Sequence, residues 1–155
     1  MPNRSKDTCA DEQAARAPDA AERGGASDPA ELELVLDRTV RAPALARYAV
    51  TERCEQLGVD GSLEQSLILL VSEVVSNAVR HSPAAPDEPV GLDATFGQRA
   101  IRVTVTDGGD GFTPRPRDPA SARDGYGLYL LEKVAESWGV ESCGDTKVWF
   151  ELARG

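Results

Sequence analysis

The stretch LVSEVVSNAVRHS, residues 70–82, decides the fold class of this chain and shows where to look for a site. It has the apolar spacing of a buried helix but carries Glu73, Asn77 and His81, the only histidine of the chain. Residues four apart are offset by only about 40° around an α-helix, so these three side chains form one stripe. The adjoining stripe has the spacing of a core-facing surface and consists of Leu67, Leu70, Val71, Val74 and Ala78. The polar stripe therefore borders the buried face, where the wall of a groove would lie.

Composition separates the chain into a tail and one domain. Its 155 residues suit a single domain that buries roughly two-thirds of its unfolded surface. Residues 1–28 contain no leucine, isoleucine, valine or aromatic residue, so we expect a disordered tail followed by a domain over residues 29–155. The tail lacks the apolar core of a signal peptide, and no later run approaches membrane-spanning length. We therefore expect a cytoplasmic protein with no membrane partner.

Charge and cysteine content exclude further classes of partner. The net charge of −9 argues against nonspecific duplex binding, which depends on a basic patch, so we expect no direct nucleic-acid contact. The three cysteines, Cys9, Cys54 and Cys143, are widely spaced and have no histidine pattern beside them. Isolated reduced thiols fit this pattern better than a disulfide framework or a zinc site.

The order of predicted elements indicates an α+β fold. Alternating residues predict a strand at 31–37, and a helix follows at 43–57 with Gly58 just after its end. Ser62 is the expected N-cap of a second helix that ends near His81. The later predicted elements are strands at 90–96 and 101–106, an irregular passage at 108–127, a helix at 128–138 that ends at Gly139, and strands at 140–143 and 147–152. We expect a two-layer sandwich in which helices cover one face of a mostly antiparallel sheet.

Each member of the polar stripe has a structural interpretation beside a functional one. Glu73 is the only charged side chain between residues 67 and 79, and burying an unpaired carboxylate costs several kcal/mol. It therefore needs a partner or a solvated cleft, or else it is a surface glutamate on a half-exposed helix. Asn77 alone suits a structural amide, and His81 alone suits a helix C-terminus favoured by the macrodipole. The three together favour a site.

Two glycine-containing segments form the two ends of the irregular passage, which we expect to be a functional lid or disordered. DGGDG at 107–111 directly follows a predicted strand, where glycines let a ligand approach the backbone, although an ordinary turn has the same pattern. RDGYGL at 123–128 leads into a helix, whose free N–H groups suit an anion, although a hinge before a helix is also common. Neither segment has the Walker pattern or the dinucleotide-binding fingerprint.

Together and in this order, the three elements resemble the GHKL superfamily, the ATP-binding fold of gyrase-type ATPases and histidine kinases. The E-x-x-x-N helix resembles its N box, D-x-G-x-G its first glycine box and G-x-G-L its second. SEVVSNAVRH, the lid ending R-x-G-x-G and the closing VWFEL are similar to bacterial anti-sigma-factor serine kinases. The resemblance covers residues 31–152 and implies a Bergerat-type ATP-binding sandwich.

The resemblance implies a role for each matching residue on the helix. Glu73 would be the general base that takes the proton from a serine hydroxyl, since phosphoryl transfer otherwise needs positioning and charge neutralisation. Asn77 would hold Mg²⁺ through its amide oxygen. His81 matches the family pattern, but we find no physical role for it beyond helix-end packing.

The resemblance also implies a set of nucleotide contacts. Asp107 would accept a hydrogen bond from the adenine amino group. The remaining contacts would be Gly109 and Gly111 beside the base, the N–H groups of Gly125, Gly127 and Leu128 at the phosphates, and Arg123 reaching the phosphates from the lid. The family has a threonine directly before the valine of the last strand, whereas this chain reads Thr146-Lys147-Val148. Either Thr146 is shifted by one position or Lys147 takes its place.

The function that the resemblance implies is an ATP- and Mg²⁺-dependent protein serine/threonine kinase of the anti-sigma type. Its partners would be a small antagonist (anti-anti-sigma) protein as phosphoacceptor and a sigma factor. The alternative is a non-catalytic, nucleotide-gated module that sequesters a sigma factor or another regulator. A sensor histidine kinase is disfavoured, because His81 lies inside the nucleotide helix and no dimerisation helix with a phosphoacceptor histidine is present in the sequence. Both a monomer and a homodimer remain open.

Overall fold

Five strands and three helices follow one another in the predicted order in the computed structural model, which describes residues 30–81, 87–108, 126–142 and 144–155. They are β1 (Ala30–Leu36), α1 (Ala42–Leu57), α2 (Gly61–His81), β2 (Val90–Phe96), β3 (Ala100–Asp107), α3 (Tyr126–Val134), β4 (Ser137–Ser142) and β5 (Thr146–Ala153). The predicted tail and most of the predicted lid lie outside the described residues. In the described ranges, no helix combines the length and apolar character needed to cross a membrane.

The described strands form one sheet in the order β1-β2-β3-β5-β4, and every neighbouring pair is antiparallel. Buried and partly exposed residues alternate along β3, as the period of two requires when one face of a strand is covered. The covering layer is helical, and α2 contacts β2, β3 and β5 as well as both other helices. The prediction of an α+β sandwich is therefore confirmed.

The core lies between α2 and the sheet. The predicted apolar stripe of α2 is confirmed, because Leu67, Leu70, Val71 and Val74 are at most 2% exposed and Ala78 packs against them. Full burial of side chains of this size contributes roughly 1.5–3 kcal/mol each. Since α2 is held on one side by the core, its polar stripe has a defined position relative to the sheet.

Asp60, not Ser62, is the N-cap of α2. The Oδ2 atom of Asp60 accepts hydrogen bonds from the backbone N–H groups of Ser62, at 3.0 Å, and Leu63, at 3.4 Å. Asp60 also provides the first carbonyl of the helix, which accepts from Glu64 N at 2.8 Å. The prediction of Ser62 was wrong by two residues, because aspartate and serine are comparably good caps and both stand at the start of the apolar pattern.

The prediction for α3 was wrong at its C-terminal end. The helix stops at Val134, and Trp138 and Gly139 belong to β4, which begins at Ser137 and not at residue 140. Gly139 pairs with Trp149 of β5, and a Cβ on Gly139 would lie 2.8–2.9 Å from three atoms of the indole ring. The glycine is therefore present to let an aromatic ring lie against the strand. It does not end a helix.

The end of α1 follows the prediction. Gly58 adopts the left-handed conformation, with φ of 63°, and donates its backbone N–H toward the last turn of the helix. The three-residue connection from there to α2 makes α1 and α2 neighbours that pack against each other. Cys54, in the last turn of α1, is fully buried and carries a free thiol.

Candidate functional site

Glu73 and Asn77 lie where the polar stripe was predicted, at the border between the core and solvent. Both are partly buried, whereas the neighbouring Val74 and Val75 are in the core. They are one turn apart on α2, about 6 Å along the helix axis. Glu73 belongs to neither the Arg38–Asp107 nor the Arg102–Glu151 ion pair. A partly buried carboxylate outside those pairs is suitable as a proton acceptor for a group that approaches this border from solvent.

Asp107, the last residue of β3, is buried on the helix-facing side of the sheet and is 7% exposed. Its Oδ1 atom accepts a hydrogen bond from Nη2 of Arg38 at 2.6 Å, which also makes an ion pair. The same guanidinium donates from Nη1 to the backbone carbonyl of Ala78 at 2.6 Å. Because Arg38 contacts both Asp107 and Ala78, the end of β3 lies near the C-terminal half of α2. Ala78 is the residue directly after Asn77.

Thr146 lies directly opposite Asp107 in the antiparallel register of β3 and β5. Directly paired residues point to the same face of a sheet, and Thr146 is 4% exposed on the helix-facing side. Lys147 therefore points to the opposite face, because successive side chains of a strand alternate. Of the two alternatives for the family's threonine position, only Thr146 lies beside Asp107.

The phosphate side of the predicted site is described in part. Gly127 and Leu128 are the second and third residues of α3, in the first turn, where backbone N–H groups have no partner inside the helix. His81 is the last residue of α2. Gly109, Gly111, Arg123 and Gly125 lie outside the described residues, and their roles stay predictions.

Comparison with known proteins decides the family. The model of the histidine kinase-like ATPase domain matches residues 35–152. The chain belongs to this family.

This histidine kinase-like ATPase domain also has a solved structural neighbour. The crystal structure of the RsbU and RsbW domains of Rv1364c from Mycobacterium tuberculosis aligns with a TM-score of 0.64 and 23% sequence identity. The alignment covers 81% of this chain and 32% of that chain, so the aligned part of this chain corresponds to about a third of the length of the solved chain. The similarity supports the fold. A search of curated proteins gave no match.

The side chains of this ATPase domain fit the nucleotide that its family name implies. Asp107 offers a carboxylate acceptor and Thr146 a hydroxyl at the paired ends of β3 and β5, which would suit a base with an amino group. Among the described residues, no three histidine, cysteine, aspartate or glutamate side chains cluster as a metal site. The amide oxygen of Asn77 would be one hard ligand, which would suit Mg²⁺ because that ion keeps several waters and binds nucleotide phosphates.

Sequence reasoning missed Arg38, which touches Asp107 directly. Arg38 lies in the turn after β1 and is separated from Asp107 by 69 residues. Its side chain is only 6% exposed, although arginine is usually a surface residue. The sequence DRTVR around it contains two arginines and no motif, so no local signal distinguishes Arg38 from its exposed neighbour Arg41.

Proposed function

We propose that this protein is an ATP-binding regulator of the anti-sigma type that phosphorylates a serine on a small antagonist protein. It uses ATP with Mg²⁺, acts in the cytoplasm and holds a sigma factor when it is not bound to the antagonist. The observation that carries this proposal is the placement of Glu73 one turn before Asn77 on the border of α2, with the buried Asp107–Thr146 pair at the neighbouring strand ends.

The chemistry assigned to each residue follows from its position. Glu73 takes the proton of the serine hydroxyl as its oxygen attacks the γ-phosphorus of ATP. The bond between the γ-phosphorus and the bridging oxygen breaks, and ADP leaves with that oxygen. Asn77 would hold Mg²⁺ through its amide oxygen, and the ion would supply positive charge that offsets the charge of the phosphates.

The nucleotide is held at both ends. Asp107 accepts a hydrogen bond from the adenine amino group, and Thr146 contacts the base from the adjacent strand. Gly127 and Leu128 offer backbone N–H groups to the phosphates from the first turn of α3, where the helix dipole favours an anion. Serine on a protein partner, and not water, is the acceptor in this proposal.

The experiment combines the protein with labelled ATP and candidate antagonist proteins, and compares wild type with Glu73→Gln. The variant should bind ATP nearly as well as wild type, because the carboxylate acts on the incoming hydroxyl. Transfer to the antagonist should fall by roughly 10²–10⁴-fold, the usual contribution of a positioned base. Glu64→Gln, which changes a carboxylate in the first turn of the same helix, is the matched control and should keep the wild-type rate.

The alternative is a nucleotide-gated module without catalysis, and the same experiment separates the two. Such a module would bind ATP and a regulator, yet no candidate antagonist would acquire label with wild type. Transfer at the wild-type rate by Glu73→Gln would remove Glu73 from the mechanism.

A further inference from the structure

The guanidinium of Arg38 is bonded through all three of its nitrogen atoms. Nη2 donates to Oδ1 of Asp107 at 2.6 Å, Nη1 to the carbonyl of Ala78 at 2.6 Å and Nε to the carbonyl of Glu88 at 3.1 Å. One buried side chain thereby joins the turn after β1, the end of α2, the turn before β2 and the end of β3.

Arg38 interacts favourably with the C-terminal end of α2. Ala78 is one of the last four residues of the helix, whose carbonyls have no partner inside the helix. A cation at this end also interacts favourably with the helix dipole. Arg38 therefore meets two requirements at once, because it satisfies a helix-terminal carbonyl and neutralises a buried carboxylate.

Stability alone is a weak reason for such an ion pair. Desolvation of a buried pair offsets much of its Coulomb attraction, and apolar replacements of both partners are often neutral or stabilising. A second ion pair in the described part of the chain, Arg102 with Glu151 at 2.7 Å, lies on the open face of the sheet with side chains 43% and 32% exposed. The two pairs have similar geometry, and only the Arg38 pair is buried beside the candidate site.

We propose that Arg38 is a positioning residue that determines nucleobase selectivity by fixing the Asp107 carboxylate and tying it to the backbone of α2 one residue beyond Asn77. This inference rests on the proposed function, in which Asp107 receives the adenine amino group. The two oxygens of the Asp107 carboxylate turn together about the Cβ–Cγ bond, so a donor that holds Oδ1 also determines where Oδ2 points. A fixed acceptor suits the amino group of adenine and opposes the carbonyl oxygen of guanine.

Selectivity depends on this rigidity. A carboxylate that can rotate, or admit a bridging water, can avoid the mismatch with guanine and loses most of its discrimination. Arg38 itself cannot move aside to allow this rotation of the Asp107 carboxylate, since its guanidinium is also anchored on the Ala78 carbonyl of α2. Lysine would keep the charge but has a single nitrogen, so it can hold the carboxylate without reproducing the three-way geometry.

The test is calorimetric titration of ATP and GTP into wild type, Arg38→Met, Arg38→Lys and the matched control Arg102→Met. Wild type and Arg102→Met should prefer ATP by at least about tenfold. Arg38→Met should bind ATP roughly tenfold more weakly, the loss expected for a hydrogen bond to a charged group, and should discriminate by less than about threefold. Arg38→Lys should lie between these values. The loss of ATP affinity in Arg38→Met should be equal in Mg²⁺ and in EDTA, because Arg38 acts on the contact to the base and not on the metal.

A double substitution shows whether Arg38 acts through Asp107. Asp107→Asn alone should narrow the ATP preference, and adding Arg38→Met to it should change the ATP/GTP ratio no further. A purely structural role for Arg38 would lower the unfolding midpoint in urea and leave the ratio of the folded protein unchanged.

The outcomes separate this inference from the proposed function. If wild type prefers ATP and the folded Arg38 variants keep that preference, the positioning role is wrong and the proposed function stands. Tighter ATP binding by Arg38→Met would show that the guanidinium competes with the base, which also overturns the inference. Absence of ATP binding by wild type would overturn both. If Arg38→Met does not fold, the ratio measured on Arg38→Lys decides, and wild-type selectivity there contradicts the proposal.

Discussion

Asn77 provides the residue-scale test of the metal contact. Its side chain is partly buried one turn beyond Glu73, where a structural amide and a metal ligand have the same appearance. Asn77→Ala should weaken ATP binding in Mg²⁺ much more than in EDTA, because the lost oxygen belongs to the ion. Asn77→Asp keeps an oxygen ligand and is the matched control. Equal losses in both buffers would identify a structural amide.

Cys54 provides a pH-dependent prediction at the same scale. Burial, followed by the negative charge of Glu64, raises the pKa of its thiol to about 11, with Arg154 acting in the opposite direction. Between pH 9 and the folded pKa, the unfolded chain loses this proton while the folded chain keeps it, so stability falls as pH rises. The loss should approach about 2 kcal/mol by pH 11.

Urea unfolding of wild type and Cys54→Ala at pH 8 to 11 measures this contribution. The variant lacks the thiol and should lose less stability than wild type over that interval, although its stability at pH 8 is lower because of the cavity it leaves. Parallel pH profiles for the two proteins would show that the thiol is not the group responsible.

At the scale of the element, the start of α2 depends on Asp60. Asp60→Ala removes the acceptor of two backbone N–H groups and should lower the free energy of unfolding by about 1 kcal/mol. Ser62→Ala is the control, because Ser62 is exposed and should change stability by less than about 0.5 kcal/mol. Urea denaturation, monitored by tryptophan fluorescence, compares wild type with the two variants. A larger loss for Ser62→Ala would restore Ser62 as the cap.

For the whole molecule, a ligand that binds only the folded state raises the unfolding temperature. ATP with Mg²⁺ at one hundred times its Kd should stabilise the protein by about 2.7 kcal/mol, which for a chain of this size corresponds to roughly 5–10 °C. GTP at the same concentration should have a smaller effect, because the Asp107 contact disfavours it. Thermal scans with each nucleotide measure this difference. Equal shifts for the two nucleotides would argue against an adenine pocket.

The sequence by itself determined the features that depend on near neighbours along the chain. The period of α2 placed its apolar stripe in the core and Glu73 and Asn77 at the border, because burial of a helix face requires residues three and four apart. Alternation likewise predicted β1 within one residue at each end. Three motifs in order were sufficient to indicate the family, since the spacing of a nucleotide site is part of the sequence.

Only the tertiary structure decided the contacts between distant segments. Arg38 meets Asp107 across 69 residues, and Thr146 lies opposite Asp107 because of the register of β3 and β5. Pairing with β5 also made a strand of Trp138 and Gly139, whose local pattern had suggested the end of a helix. Strand register and burial arise from packing of the whole domain, and a tertiary contact can override local propensity. For that reason the side chain that holds the predicted base-binding carboxylate was visible only in the folded chain.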